Sequence, residues 1–366
     1  LAYQDSVGEI VIDKIKARTS DTAVDIFVYD TSKDSDGGAW RHRTQNLSWY
    51  NEGASATRGA RKEFPAVAVI VMETSSCIIH DANDPNLSMW MVFNFGSGNS
   101  LASKTMFYAG GKAVFALNGI ICLTGTDGWK DGLTTIDFIA DTAKWRNDNY
   151  IANWGDVGII NRNVAGGYGN FVTAPSELIV SAAVNDVAMT VLPNAPTDAS
   201  TGLPTPTIVI GTNGGISVIT DSGVIYDLTT NNEADDIAEI AFLADNRYSF
   251  ATTANNSRWW VDDIQTADEN HNYFYQRTSY DYSAGGQGSL NPLGRVNGTS
   301  RGEHGEAIFR QASGMSRVRY LDTLINYTTT DYNTGWMGGE VKGAYLSSTD
   351  DTNLSGTSLI ANGDFS

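Results

Sequence analysis

The chain has 366 residues, of which 41% are hydrophobic, and a formal net charge of −18 at pH 7. That negative balance opposes binding to a phosphate backbone, which needs clustered Lys and Arg, so we expect no nucleic-acid partner. No window approaches the roughly eighteen uninterrupted apolar residues of a membrane-spanning helix. The 37 glycines are typical of a protein with many tight turns.

The sequence contains two cysteines, Cys77 and Cys122. Two are too few for a disulfide framework or for a zinc site built from cysteines. Both stand in apolar runs, CIIH and IICLTG, which we interpret as equivalent strand positions of successive sheets. We therefore expect both thiols to be buried and free, with a bridge between them as the alternative.

The first predicted elements are two strands, VGEIVIDKIKA at 7–17 and VDIFVYDT at 24–31, followed by a polar segment. Residues 41–62 hold the densest basic patch of an otherwise acidic chain. Arg combined with Trp and Tyr is the composition that anchors protein interfaces. We therefore predict a contact with another protein through Trp40, Arg41, Arg43, Trp49, Tyr50, Arg58 and Arg61.

Part of this polar segment is similar to the first half of a calcium loop. Ser32, Asp34 and Asp36 alternate and are followed by Gly37. The position where such a loop needs a bidentate Glu is occupied by Arg43. We interpret the segment as an Asp/Gly turn, and we predict no metal site and no cofactor.

Short apolar runs rich in Val, Ile and Thr recur along the chain between breaks of Gly, Asn, Asp and Pro, which is the pattern of hairpins. The clearest block, 185–230, contains VAMTVL, TIVIGT, ISVIT and VIYDLT. Four such strands make one small antiparallel sheet, which needs neighbours to bury both of its faces. Similar blocks occupy 64–95, 105–140, 237–264 and 306–330, and a short helix is predicted at Thr142–Asp148.

This pattern predicts a mainly β protein: a β-propeller of roughly five to seven small antiparallel blades, with a multi-sheet β-sandwich as the alternative. The expected domains are N-terminal strands with a basic-aromatic arm at 1–60, the propeller at 61–352, and a linker at 353–366 that begins a further module.

The motif H-E-x-x-H and the P-loop are absent, and the four histidines have no ligand spacing. We therefore predict no catalytic residue. The nine tryptophans are more informative, because flat aromatic faces beside acidic and amide groups suit sugar rings. The candidates for stacking on a glycan are Trp129, Trp154, Trp259 and Trp260, and packing between sheets is the alternative for each.

Several long segments resemble one protein family. FVYDTSKDSDGGAWRHRTQNLSWYNE, TRGARKEFPAVAVIV and MWMVF resemble a recurrent block of virion structural proteins of marine bacteriophages. NDVAMTVLPNAPTDASTGLPTPTIVIGTNGGISVI and TGWMGGEVKGAYLSSTDD resemble later blocks of the same proteins, which are described as phage tail or tail-fibre proteins. The resemblance covers most of the chain and implies a virion, extracellular location and a β-rich, propeller-like body. It implies no catalytic residue.

The last residues, SLIANGDFS, resemble the opening strand of a jelly-roll carbohydrate-binding module. An apolar strand start with nothing to pair with would be left unburied. We therefore expect the native polypeptide to continue into such a module.

The sequence favours a phage tail structural protein, a scaffold that assembles into the tail and presents modules that bind the host surface. The expected partners are other virion tail proteins, further copies of the chain and a host cell-surface glycan, without a membrane span. A glycan-degrading propeller enzyme acting on the host surface and a secreted propeller lectin are the alternatives.

Overall fold

The chain divides into two compact units, Leu1–Phe242 with Asn246–Tyr282, and Leu243–Asp245 with Ser283–Ser366. The computed structural model describes residues 15, 17–19, 21–96, 105–107, 110–125, 131–155, 157–166, 170–230, 236–243, 246–252, 259–271, 280–281, 296–301, 306–311, 314–319, 323–329 and 341–347.

The described part of the first unit contains four sheets, and consecutive strands are neighbours in most of them. Sheet 1 consists of β1 (Ala23–Asp30), β2 (Val67–Glu73), β3 (Ser76–Asp81) and β4 (Met89–Asn94). Sheet 2 consists of β5 (Gly111–Leu117), β6 (Ile120–Gly125), β7 (Gly132–Asp137), β8 (Thr142–Arg146), β9 (Ile151–Asn153) and β10 (Asn170–Val172).

In the other two sheets of this unit the last strand does not follow its neighbour in sequence. Sheet 3 consists of β11 (Val184–Thr190), β12 (Thr207–Thr212), β13 (Gly215–Ile219), β14 (Ile225–Thr230) and β18 (Glu269–His271). Sheet 4 consists of β15 (Ile237–Phe242), β16 (Tyr248–Thr252), β17 (Trp259–Asp262) and β19 (Tyr280–Asp281). Pairing is antiparallel except between β14 and β18, which run parallel.

The described part of the second unit is one five-stranded antiparallel meander, sheet 5. Its strands are β20 (Val296–Arg301), β21 (Glu306–Gln311), β22 (Gly314–Arg319), β23 (Thr323–Thr329) and β24 (Val341–Ser347). Short 3-10 helices occur in the first unit at Thr31–Lys33, Ala39–Arg43, Ile159–Asn161 and Pro175–Glu177. Within the described residues, no helix has both the length and the apolar character needed to cross a bilayer.

The predicted mainly β character is confirmed. The block at 185–230 folds as β11 to β14, and the block at 64–95 folds as β2 to β4. The predicted helix at Thr142–Asp148 is wrong, because those residues form β8. In β8 the side chains of Ala143 and Trp145 belong to the hydrophobic core, which is the period-two pattern of a strand.

Residues 1–60 are predicted as N-terminal strands with a basic-aromatic arm, and the structure places β1 and most of the connection to β2 there. β1 pairs with β2 along its whole length, and the connection between them contributes Trp40 and Trp49 to the core. The division between the two compact units lies near residue 282. Of the strand predicted at 7–17, residues 7–14 lie outside the described residues, and Ile15 has a helical backbone. The predicted linker and module start at 353–366 also lie outside the described residues.

Within the first unit, successive sheets pack face to face, because their strands are apolar on both sides. In β2, Ile70 and Met72 join the core between sheets 1 and 2, whereas Val69 and Val71 face away from it into a smaller cluster. A second core fills the space between sheets 2 and 3, and a third lies between sheets 3 and 4.

Within the first unit, the first strand of one sheet contacts the first strand of the next sheet. β5 packs against β1 and against β11, and β11 packs against β15. Both cysteines are buried and free, as predicted: Cys77 lies in the core between sheets 1 and 2, and Cys122 in the core between sheets 2 and 3.

Two glycines of sheet 3 provide a test of this packing. Gly215 has φ 125°, and a Cβ there would lie 2.3 Å from the carbonyl oxygen of Leu228 in the neighbouring strand. Gly223 has φ 83° but nothing within 4 Å of a Cβ. We expect Gly215→Ala to lower the free energy of unfolding by about 3 kcal/mol or more, and Gly223→Ala by about 1 kcal/mol. Urea unfolding of both variants measures the difference, and equal losses would contradict the described β13–β14 pairing.

Candidate functional site

Three connections of the first unit meet on one side, which we call the loop face: residues 31–66 between β1 and β2, the turn at Asn118–Gly119, and residues 191–206 between β11 and β12. Asn118 joins all three. Its backbone N–H donates to Asp34 Oδ1 at 2.7 Å, and its Nδ2 donates to the carbonyl oxygen of Pro204 at 3.0 Å. The loop face is therefore fastened to sheets 1, 2 and 3 together.

Asp34 is the centre of this fastening. Its Oδ2 accepts hydrogen bonds from the Tyr29 hydroxyl at 2.6 Å and from Trp40 Nε1 at 2.7 Å. The Tyr29 oxygen in turn accepts the N–H of Gly119 at 2.7 Å. Burial raises the pKa of Asp34 to about 6, and the hydrogen bonds from Tyr29, Trp40 and Asn118 act in the opposite direction.

A buried group of charges holds the other end of the 31–66 connection. Arg162 donates to both carboxylate oxygens of Glu52, at 2.7 and 3.0 Å. Arg58 lies beside the same carboxylate, with Nε 3.8 Å from Oε2, and its guanidinium stands 4.5 Å from the ring centroid of Trp90. Burial lowers the pKa of Arg58 to about 10, and Glu52 opposes that shift.

Arg58 also donates hydrogen bonds to backbone carbonyl groups of this connection and of β4. Its Nη1 donates to the carbonyl oxygens of Arg61 at 2.6 Å and Trp90 at 3.0 Å, and its Nη2 donates to that of Lys62 at 2.9 Å. Carbonyl groups that a loop cannot pair within itself are thus satisfied by one cation.

Three of the seven residues predicted to contact a partner lie inside the first unit. Trp40, Trp49 and Arg58 are buried. Trp49 packs edge-on against Trp90, with ring centroids 5.5 Å apart, and its Nε1 donates to the carbonyl oxygen of Phe138. The basic-aromatic composition of the segment therefore reflects, in large part, the internal packing of a long loop.

The other four predicted contact residues differ in exposure. Arg43 and Arg61 are exposed, with side-chain exposures of 49% and 39%, and they pair with Asp36 and Asp81. Arg41 is mostly covered, and together with exposed His42 it contacts Glu63. Tyr50 is part-buried against the hydrophobic core. The accessible part of the patch is therefore a set of exposed cations, each beside a carboxylate.

Residues 32–37, which have the calcium-like spacing, form turns in which the N–H of Gly37 donates to the carbonyl oxygen of Asp34. The Asp34 oxygens are occupied by O–H and N–H donors, and Asp36 accepts from the N–H of Gly38 and from Arg43. Within the described ranges, no three His, Cys, Asp or Glu side chains come together as a metal site.

The predicted glycan-stacking residues fall into three groups. Trp154 is fully buried in the core between sheets 1 and 2, so it offers no face to a sugar. Trp259 and Trp260 begin β17, where Trp260 is paired in register with Phe250, but their side chains lie outside what the structure describes. Trp129 lies outside the described residues.

Three of the residues that organise the loop face were not found from the sequence. Glu52, Asn118 and Arg162 carry no motif. Glu52 meets Arg162, and Asn118 meets Asp34, through contacts between residues far apart in the chain. Asn118 and Gly119 form the turn between β5 and β6, but the contact of Asn118 with Asp34 spans 84 positions of the chain.

Comparisons with known proteins show no relative from which a function could be transferred. No family model matches the chain, and no curated protein matches it. Solved structures match it loosely. An aldose sugar dehydrogenase from Streptomyces coelicolor, solved with PQQ bound, has 11% identity and a TM-score of 0.36, covering 88% of this chain and 98% of that one.

Two further structures show the same loose similarity. The Cps50 (Swd1) β-propeller domain of Myceliophteria thermophila has 10% identity and a TM-score of 0.34, covering 71% of this chain and 89% of that one. A protein of unknown function from Desulfotomaculum acetoxidans has 10% identity and a TM-score of 0.35, and the match covers 76% of this chain and 65% of that protein. Scores at this level carry no argument about the fold or function of this chain.

The buried charges predict a large effect of one substitution. Glu52→Gln removes the carboxylate that compensates Arg58 and Arg162, and it leaves two buried cations together. We expect the free energy of unfolding to fall by about 3–5 kcal/mol. Glu63→Gln is the matched control, because Glu63 pairs with Arg41 and His42 near the surface, and it should cost less than about 1 kcal/mol. Denaturant unfolding measures both, and equal effects would contradict the proposed role of Glu52.

The buried carboxyl of Asp137 should make the stability of the protein depend on pH. Its Oδ1 accepts the N–H groups of Ile139 and Ala140, and burial raises its pKa to about 6. A raised carboxyl pKa means that stability is lost as pH rises from about 4 to about 6. Asp137→Asn keeps an oxygen for both donors and removes the charge. We expect it to match the wild type below pH 4 and to be more stable by about 2 kcal/mol above pH 6. Thermal unfolding across this range tests the sign.

Proposed function

We propose that this chain is a structural component of a phage virion tail, a β-propeller scaffold whose loop face contacts another virion protein. The scaffold presents modules that bind the host surface, and its place is in the extracellular particle. The main support for the proposal is the loop face. Its long connections are held by buried hydrogen bonds to the β-sheets, and they present charged side chains to solvent.

The packing of the opening strands supports a propeller. In such a fold the first strand of every blade lies nearest the axis, so the first strands of successive blades are neighbours. The contacts of β1 with β5, of β5 with β11 and of β11 with β15 follow this order. The face-to-face burial of successive sheets supports the same arrangement.

The fastening of the loop face supports a role in assembly. A surface that is already ordered loses less conformational entropy when a partner binds. Asp34 and the group of Glu52, Arg58 and Arg162 hold the 31–66 connection from inside. Above them, His42, Arg43 and Arg61 remain exposed beside acidic partners, and exposed charged pairs favour correct orientation of a partner over raw affinity.

The resemblance of FVYDTSKDSDGGAWRHRTQNLSWYNE to virion proteins of marine phages supports the location. This motif spans the opening of the loop face, from the end of β1 to Glu52. This block of the resemblance therefore includes His42 and Arg43 of the proposed contact surface.

The function is tested by counting copies. Quantitative mass spectrometry of purified phage particles, with isotope-labelled peptides of this chain and of the major capsid protein, should give a fixed ratio that is the same in independent preparations. An abundant host protein measured in the same samples serves as the contamination control. A ratio that varies between preparations as the host protein does would overturn the proposal.

The contact surface is tested by charge reversal. We expect Arg43→Glu combined with Arg61→Glu to reduce incorporation into particles at least about tenfold, since rim charges control orientation and encounter. Arg18→Glu combined with Lys112→Glu makes the same charge change at exposed positions outside the loop face and should leave incorporation unchanged. Placing Glu beside Asp36 and Asp81 could by itself lower stability, so Arg43→Gln combined with Arg61→Gln is measured as well, because it removes the charges without adding repulsion. Normal incorporation of the stable reversal variant would contradict the proposed surface.

A further inference from the structure

The opening strands of the four sheets in the first unit share a local distortion. Each has a β-bulge near its start, in β1 between Ala23 and Asp25, in β5 between Gly111 and Val114, in β11 between Val184 and Asp186, and in β15 between Ile237 and Glu239. A bulge leaves backbone groups outside the regular ladder, and a buried N–H that leaves the ladder needs another acceptor.

Two aspartates supply that acceptor in the same way. Asp25 Oδ1 accepts the N–H of the next residue, Ile26, at 2.9 Å, and its Oδ2 accepts the N–H of Val114 in β5 at 2.9 Å. Asp186 repeats both contacts, with the N–H of Val187 on Oδ1 and that of Ile240 in β15 on Oδ2, each at 2.8 Å. Each carboxylate thus bonds its own opening strand to that of the next sheet.

We propose that Asp25 and Asp186 are equivalent joints, which lock sheets 1 and 2 into one pair and sheets 3 and 4 into another. The first unit then opens first between the pairs, at the contact of sheet 2 with sheet 3, which we call the seam.

The spacing of the joints has a simple physical reason. The position of β5 that corresponds to Asp25 and Asp186 is Ala113, directly before Val114. A carboxylate there would have no free donor, since Asp25 already accepts the N–H of Val114 and Asp186 that of Val187. Two carboxylates therefore satisfy four bulged strands, and the seam between the pairs is left without a joint of this kind.

The interior of the seam contains a close sulfur contact and a buried cation. It is mainly apolar, and Cys122 Sγ lies 3.5 Å from Met189 Sδ across it. Arg146 lies close enough to the Cys122 thiol to interact with it electrostatically, and the Nε of Arg146 is buried without a hydrogen-bond partner among the described residues. A buried cation with an unsatisfied donor is costly, and water entering the seam would relieve that cost.

The chain contains its own reporters. Cys77 lies within the first pair and Cys122 lies in the seam, and both thiols are buried. Burial, together with the charges of Glu73 and Asp25, raises the pKa of Cys77, so it reacts only after opening. Labelling rates of the two thiols therefore report the opening of two different interfaces.

The test uses two single-thiol proteins, Cys77→Ala and Cys122→Ala, treated with a thiol reagent in urea below the unfolding transition. We expect Cys122 to be labelled at least about tenfold faster than Cys77. Equal labelling rates would mean that the first unit opens only as a whole. Either equal rates or faster labelling of Cys77 would overturn the proposal that the unit opens first at the seam.

The joints are tested in the same backgrounds. Asp25→Asn keeps one acceptor oxygen and loses the other, so it should speed the labelling of Cys77 and the amide exchange of Val114. Cys122 should still be labelled faster than Cys77. Asp186→Asn should speed amide exchange at Ile240 and leave Cys77 unchanged, and exposed Asp148→Asn is the control. Ala113→Asp should add no stability. A stabilised Ala113→Asp protein, or an unchanged Cys77 rate in Asp25→Asn, would overturn the equivalence.

Discussion

The structure depends on strands that are apolar on both faces. All seven residues of β2 are buried, and its alternate side chains enter two different clusters. Such a strand cannot end at a solvated surface, so each sheet requires a neighbour on either side. Face-to-face succession of small sheets follows from this requirement, and short turns then bring the opening strands together. Sheets 2 and 3 in particular are covered on both sides by the sheets that precede and follow them.

When the sheets cover one another, backbone carbonyl groups of the long connections are also buried and need hydrogen-bond donors. Buried charged side chains such as Arg58 supply these donors. Glu52, Arg58 and Arg162 form a group in which each charge is needed by the others. Replacing one partner of such a group is costly even where the group as a whole adds little stability. The same arrangement fixes the shape of the loop face, so the ionic interior and the proposed contact surface depend on one another.

The sequence was most informative where local rules act alone. Short apolar runs separated by Gly, Asn, Asp and Pro predicted most strands of sheets 1 to 3. β8 was missed because TAKWR is short, and its strand character comes from pairing with β7 and β9. Composition predicted the 41–62 segment as a surface, but it cannot distinguish an Arg that meets a partner from one that meets carbonyl groups inside, as Arg58 does. Long-range meetings such as Asp34 with Asn118 depend on sheet packing and have no local signal.

The Asn118–Gly119 turn also bears on how long the molecule stays chemically intact. Asn-Gly is the dipeptide most prone to spontaneous deamidation, in which the glycine nitrogen attacks the side-chain amide carbon and ammonia leaves. Here the nitrogen of Gly119 holds its hydrogen against the Tyr29 oxygen, and Asn118 Oδ1 accepts the N–H of Ser35 at 2.8 Å. Asn118 Nδ2 is held by Ser35 and Pro204, so neither reacting group is free to turn. The folded chain thus shields this Asn-Gly dipeptide against deamidation.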